Sequence, residues 1–169
     1  MFWCTLVYFL APSDRLIFPV SASNQSYMGY TPYKMDPKFR VSIPTAWRPV
    51  AGEVLYLLSS RTHDMPVIKV LSQKAFDERV ETVKSSDLTP AKKTAMLGRL
   101  SMLCRTASVN DQGKLLVPKD LSEGAGIIAE AEVVLAGRGL HFEVWSKANH
   151  SRVLEIEMAT DEADDLGIL

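Results

Sequence analysis

One short phrase occurs twice in this chain, and its spacing constrains the fold more than any other feature. Asp36 to Pro44 reads DPKFRVSIP, and 74 positions later Asn110 to Pro118 reads NDQGKLLVP. Each copy holds a polar turn, a basic residue, a short apolar-leaning strand and a proline. The offset persists downstream, because Ser72 and Ser146 also stand 74 residues apart and each is placed to cap a helix. Loop lengths between these anchors differ in compensating ways. The first copy has the longer hairpin turn and the second has extra residues after Gly126, so a period kept at both ends indicates a duplicated unit.

Each copy predicts the same order of elements. In the first, Tyr30 to Met35 is extended, Arg40 to Ile43 alternates like a half-buried strand, and Pro44 opens a short helix that Pro49 and Gly52 stop. Val54 to Leu58 is a buried-strand run, Ser59 to Pro66 holds turn chemistry, and Val67 to Leu71 returns. The helix after Ser72 places Ala75, Phe76, Val80 and Val83 on one face. In the second copy, Leu115 to Val117 is a strand and Pro118 opens a helix ended by Gly124 and Gly126. Glu132 to Ala136 and Leu140 to Trp145 then flank a turn at Gly137 to Gly139. Between the copies, Thr89 caps and Pro90 begins a helix whose apolar residues recur as far as Arg105. With the first helix it forms an antiparallel pair. The predicted organisation is an extension over 1–26, a first repeat over 27–85, a linker helix over 86–106, a second repeat over 107–154 and an acidic tail over 155–169. The fold class is α+β, mainly β, with two interlocked halves and peripheral helices.

Charge is distributed unevenly. From Tyr27 to Arg105 there are 13 Lys and Arg against 7 Asp and Glu, and from Thr106 to Leu169 there are 5 against 12. A basic front and an acidic back suit an anionic partner on one face, although surface charges also cluster without function. Two distant cysteines, Cys4 and Cys104, argue for a reducing compartment and against a disulfide framework or zinc site. After Leu154 the tail EIEMATDEADDLGIL carries six acidic residues and little periodicity, which predicts a frayed helix end or disorder. Residues 1–26 are apolar but Pro12, Asp14 and Arg15 break them short of a membrane span. They read first as an extension ahead of a start near Met28. The second reading is a signal peptide with a small-residue site at Val20 to Ala22.

Catalysis finds little support. His63, His141 and His150 are dispersed, and Ser59, Ser60 and Ser72 lack the glycine context of a nucleophile elbow. Gly137-Arg138-Gly139 is a hairpin turn, too short for a dinucleotide fingerprint. Trp47 and Trp145 suit core or interface anchors. No enzyme, metal or cofactor is expected. The residues that do suggest chemistry are Lys34, Lys38, Arg40 and Arg48, a basic strip able to hold phosphates, with a solvated charged turn as the plainer reading.

The two motifs, the Ala-Gly pairs at Ala51-Gly52 and Ala125-Gly126, HFEVWSK at His141 to Lys147 and the lead-in YMGYTPYKM together resemble the MraZ family. The resemblance runs from about Tyr27 to Leu154. It implies a double swapped-hairpin, AbrB-like fold of double-psi-barrel type assembled into a ring. It also implies a cytoplasmic, nucleoid-associated regulator, a repressor of cell-division and cell-wall genes, whose partners are double-stranded DNA and further copies of itself, with no membrane. The family motif is Asp-x-x-Gly-Arg before a short strand and Pro, and its first arginine, here Arg40, contacts DNA. Lys114 takes the arginine position of the second motif and Asn110 the aspartate position. Lysine neutralises a phosphate but cannot fork onto a guanine edge as arginine does. Phe39 occupies the first motif's glycine position, and a left-handed turn there would strain it by about 1–2 kcal/mol. These departures support a second expectation, a swapped-hairpin scaffold that binds protein partners and has weakened or lost DNA binding.

Overall fold

The computed structural model describes residues 26–159. The expectations for residues 1–25 and for 160–169 of the acidic tail lie outside the described residues. The first copy contributes β1 (Tyr30–Lys34), β2 (Arg40–Ser42), β3 (Leu55–Thr62) and β4 (Met65–Leu71), with a single 3-10 turn at Thr45–Trp47. Two helices follow, α1 (Gln73–Ser85) and α2 (Pro90–Leu103). Then come β5 (Cys104–Ala107), β6 (Lys114–Leu116), α3 (Lys119–Gly124), β7 (Glu132–Gly137), β8 (His141–Ser146) and α4 (Lys147–Ala159). The described residues are therefore α+β and mainly β.

Six strands form one antiparallel sheet in the order β1-β7-β8-β4-β3-β5, and β2 pairs with β6 in a separate ribbon. The copies exchange strands at every level. β1 pairs with β7 from the second copy, β5 pairs with β3 from the first, and β4 meets β8 at the centre. The larger sheet keeps free edges at β1 and β5, so it is open and does not close into the expected barrel. β5 was not expected. The linking helix stops at Leu103 rather than Arg105, and Cys104, which stands 74 residues after Tyr30, begins a strand that is the counterpart of β1.

Side chains alternate across the sheet. On one face Leu55, Leu57, Ile68, Val70, Phe142 and Val144 meet the ribbon residues Val41 and Leu115, with Trp47 and Ile127 closing the sides. Burying each such side chain contributes about 1.5–3 kcal/mol. The opposite face carries α4, whose Val153 packs with Val67, Val134, Ala136 and Trp145. Helix α1 lies on this second face too, because Phe76 stacks on Tyr56, which points away from Leu55 and Leu57, with ring centroids 4.4 Å apart. Of the face expected for α1, only Ala75 is fully buried.

The helix starts are set locally. Ser72 accepts from Ala75 N at 3.2 Å, Thr89 from Lys92 N at 3.5 Å, and Ser146 from Asn149 N at 3.3 Å. Such a cap contributes about 1 kcal/mol. Two boundaries differ from expectation for tertiary reasons. Ser59 to Thr62 continue β3, since Ser59 pairs with Ile68 and Ser60 with Val67, and the turn shrinks to His63 and Asp64 at φ 48° and 61°. Helix α4 runs on to Ala159 because Glu157 is held by Arg138, whose Nη1 and Nη2 donate to its two carboxylate oxygens at 2.8 and 2.9 Å.

That arginine belongs to a cluster built on buried Glu143. Arg138 Nε and Trp145 Nε1 each donate to Glu143 Oε2 at 2.9 Å, and His141 Nε2 and Lys69 Nζ lie 3.7 and 3.9 Å from Oε1. Burial opposes ionisation, but the nearby His141 imidazole, the bonds from Arg138 and Trp145 and the Arg138 charge prevail and bring the Glu143 carboxyl down to about 2. Removing one partner of such a cluster costs about 3–5 kcal/mol. Among the described residues no helix is long and apolar enough to cross a membrane.

Candidate functional site

The two motif turns lie at opposite ends of the β2–β6 ribbon and are built alike. In the first, Asp36 Oδ1 accepts from Lys38 N and Arg40 N, both at 2.9 Å, while Asp36 N donates to Arg40 O at 2.9 Å. In the second, Asn110 Oδ1 accepts from Gln112 N at 3.1 Å and Lys114 N at 2.9 Å, and Asn110 N donates to Lys114 O at 2.9 Å. A short side-chain acceptor is what this turn requires, and Asp and Asn supply it equally well. The turns are tied to each other's strands, because Val117 N donates to Phe39 O at 2.8 Å and Ile43 N donates to Gly113 O at 2.9 Å.

Both turns need a left-handed residue at the same place. Gly113 has φ 74° and Phe39 has φ 56°, so the first turn keeps its shape despite the missing glycine. The cost of the left-handed conformation, about 1–2 kcal/mol, is offset by packing of the half-buried Phe39 ring against the core.

Arg40 is the best-positioned cation. Its Nε donates to Asp36 Oδ2 at 2.7 Å, which fixes the guanidinium while Nη1 and Nη2 make no hydrogen bond among the described residues. Lys114 reaches the same carboxylate oxygen from the other copy, with Nζ at 3.6 Å. Thus one carboxylate holds the basic residues of both motifs. Asp36 is partly buried, which opposes ionisation, but the hydrogen bonds from Arg40 and Lys38 and the Arg40 charge hold its carboxyl below the ordinary range.

Arg48 joins them by a different route. Its Nε donates to Ile43 O at 3.0 Å, and its guanidinium lies over Gly113, where a Cβ would stand 2.2 Å from Cζ. Gly113 is thus required twice, by its backbone angle and by the guanidinium above it. Lys38 is exposed at the tip of the first turn. Lys34 is exposed at the end of β1, paired across the sheet with Glu132, which Lys147 Nζ binds at 2.7 Å. The structure therefore gathers Arg40, Lys114 and Arg48 around the crossed turns, with Lys38 on the rim and Lys34 two residues ahead of Asp36. Asp111, exposed in the second turn, is an acidic neighbour of this cluster.

Sequence reasoning missed Asp36 as the organiser of the cluster. The signal was present, since Asp36 and Asn110 occupy equivalent positions and both residue types bond their own backbone two residues on. Among the described residues no group of three or more His, Cys, Asp and Glu could hold a metal ion.

No family model matches the chain. It is similar to the protein named transcriptional regulator MraZ of Dehalococcoides mccartyi, with 28% identity over 121 residues, which covers 72% of this chain and 82% of that protein. The protein of the same name from Carboxydothermus hydrogenoformans is 29% identical over 121 residues, 72% of this chain and 81% of the relative. That of Rickettsia rickettsii is 28% identical over 126 residues, 71% of this chain and 80% of the relative.

Proposed function

We propose, on the premise that this chain belongs to the MraZ family, that it is a sequence-specific DNA-binding transcriptional regulator and not an enzyme. The observation that carries this reading is Arg40. A guanidinium held at Nε by Asp36 at 2.7 Å, with Nη1 and Nη2 left over, is pre-organised to fork onto a guanine edge. Lys38, Arg48 and Lys114 supply phosphate contacts that set position without reading sequence. Lys34 extends that strip along β1. The left-handed Phe39 leaves the turn in its shape, so of the two departures behind the scaffold reading only Lys114 still favours it.

The strand exchange between copies suits a swapped-hairpin unit, with the second copy beginning at β5 rather than after Thr106. One basic cluster per subunit gives weak, salt-sensitive binding. In a ring of identical subunits the cluster recurs along adjacent half-sites, and linkage raises avidity by about 10² or more. Repression of cell-division and cell-wall genes from a cytoplasmic, nucleoid-associated position follows from the family.

Fluorescence anisotropy with the gene's own upstream DNA tests this reading. Binding should weaken as salt rises and fall at least tenfold with Arg40→Ala, about the value of one base-reading contact. Binding that ignores both salt and the substitution would falsify it.

A further inference from the structure

The β2–β6 ribbon turns one face inward and one outward. Val41 and Leu115 pair across it and are fully buried in the core, so the alternate residues Arg40, Ser42, Lys114 and Leu116 lie on the other face. These outward residues form two cross-strand pairs, Arg40 with Leu116 and Ser42 with Lys114. The 74-residue offset relates Arg40 to Lys114 and Ser42 to Leu116, so each pair sets a basic residue of one copy against an equivalent position in the other. That position has been filled differently. Lys114 stands opposite a serine, whose hydroxyl suits a phosphate oxygen. Arg40 stands opposite a leucine that is 53% exposed.

A lone exposed leucine is ordinary on a protein surface. This one shares its face with Arg40 and Lys114 and is the direct partner of the residue whose Nε Asp36 holds at 2.7 Å. The two strands of a ribbon run about 4.8 Å apart, and the major groove, about 12 Å wide, admits both. Directly opposite residues on one face hold Cβ atoms about 4.5–5.5 Å apart, or roughly one to two base steps of about 3.4 Å. A guanidinium seated on a guanine edge therefore brings the leucine over a neighbouring base pair. Of the four bases only thymine presents an apolar group there, its 5-methyl. Leucine offers nothing to the amino group of cytosine or adenine, so covering either one leaves a donor unpaired.

We propose that Leu116 is a second reader beside Arg40, packing on the methyl group of a thymine within about two base pairs of the guanine that Arg40 grips. The inference rests on the DNA-binding reading of Arg40 and adds to it one base and one residue. The ribbon then has a reading end, Arg40 with Leu116, and a backbone-holding end, Lys114 with Ser42.

Two base analogues test it, since each deletes one group and keeps the Watson–Crick pair. In duplexes of the gene's own upstream DNA, each guanine in turn is replaced by 7-deazaguanine, which lacks the N7 acceptor, and each thymine by uracil, which lacks the methyl. Anisotropy should find a guanine whose replacement weakens the parent chain but not Arg40→Ala. Within about two base pairs of it there should be a thymine whose replacement weakens the parent about fourfold, the value of one buried methyl. Leu116→Ala should lose a similar amount on unmodified DNA and be indifferent to uracil at that position, with thermal melts confirming that the variant folds. If no thymine near that guanine is sensitive to uracil, or if Leu116→Ala stays as sensitive as the parent, the proposal is overturned and the Arg40 reading stands. A parent indifferent to 7-deazaguanine throughout, with Arg40→Ala binding unimpaired, overturns both. A Leu116→Ala variant that loses equally on thymine and uracil DNA, and has a lower mass in light scattering, assigns Leu116 to contact between subunits and overturns the proposal as well.

Discussion

The two motif turns share one backbone and differ in how they fill the space under the left-handed residue. In the first, Phe39 turns at φ 56° and presses its ring against the core. In the second, Gly113 turns at φ 74° and leaves its Cα bare for the guanidinium of Arg48. The position 74 residues after Arg48 is Ser122, buried and bonded through Oγ to Ile127 O at 2.9 Å. So the duplication keeps the hydrogen bonds of the turn and lets the copies divide the work around them. One turn anchors to the core and displays Arg40, and the other seats a second arginine from its partner copy. Backbone shape is the shared part, and side-chain chemistry is where the copies have diverged.

Adding a Cβ to the second turn is the largest way to break that division. Gly113→Ala places a carbon 2.2 Å from Arg48 Cζ at a positive φ that alanine resists. The cost should be about 2 kcal/mol, a fall in Tm of about 4–8 °C for a chain of this size. Thermal melts at fixed pH measure it. If Gly113→Ala melts with the parent, Arg48 does not depend on the bare glycine.

The next effect concerns the two basic residues. Arg40→Lys keeps the charge and loses the fork, so affinity for the upstream DNA should drop about tenfold, roughly 1.4 kcal/mol. Lys114→Arg should change affinity less than threefold, since Lys114 contacts phosphate in this reading. Anisotropy with matched salt separates them. Equal losses from both substitutions would make the two motifs equivalent readers and undo the contrast.

Both the resemblance between the turns and their strain were legible in the sequence, because they rest on neighbours. The Asx acceptors, the left-handed position, Pro44 and Pro118 and the caps at Ser72, Thr89 and Ser146 are decided within a few residues. What was not legible depends on distant partners. Ser59 to Thr62 read as turn, yet they form strand because β4 supplies the ladder. Cys104 and Arg105 read as the end of a helix, yet β3 draws Cys104 to Ala107 into an edge strand. Glu155 to Ala159 read as frayed, yet Arg138, 19 residues before Glu157, pins them. The candidate site divides the same way. Arg40 and Lys38 could be named from the first motif, but the meeting of Lys114 with Asp36 needs the crossed ribbon.

Replacing the aromatic residue makes the first turn resemble the second. Phe39→Gly relieves about 1 kcal/mol of left-handed strain but forfeits the ring's packing and adds chain entropy to the unfolded state. The opposing terms leave a net loss of about 1 kcal/mol or less, read from urea denaturation. A clear gain in stability would mean that the ring contributes nothing and that Phe39 is strain alone.

The smallest effect separates Asp36 from Asn110, which accept the same backbone bonds but differ in charge. Asp36 titrates and is held below its ordinary value of 3.8, where Asn110 cannot titrate at all. A carboxyl with a depressed folded pKa contributes stability that is present above its unfolded pKa and is lost as pH falls through the folded one. The Asp36 contribution should therefore be complete at neutral pH and decline below about pH 4. It cannot be read from the parent alone, because Glu143, brought from 4.5 to about 2, contributes a larger acid-labile stability, on the order of 3 kcal/mol, over the same window. Asp36→Asn leaves Glu143 untouched and makes the first turn chemically like the second, so the difference between parent and variant isolates the charge on Asp36. Paired urea titrations between about pH 7 and pH 3 should show a difference that is flat above about pH 5 and shrinks on acidification. A difference that stays constant, or grows as pH falls, would mean that Asp36 serves only as a hydrogen-bond acceptor. Its hold on Arg40 would then be no firmer than Asn110 could provide.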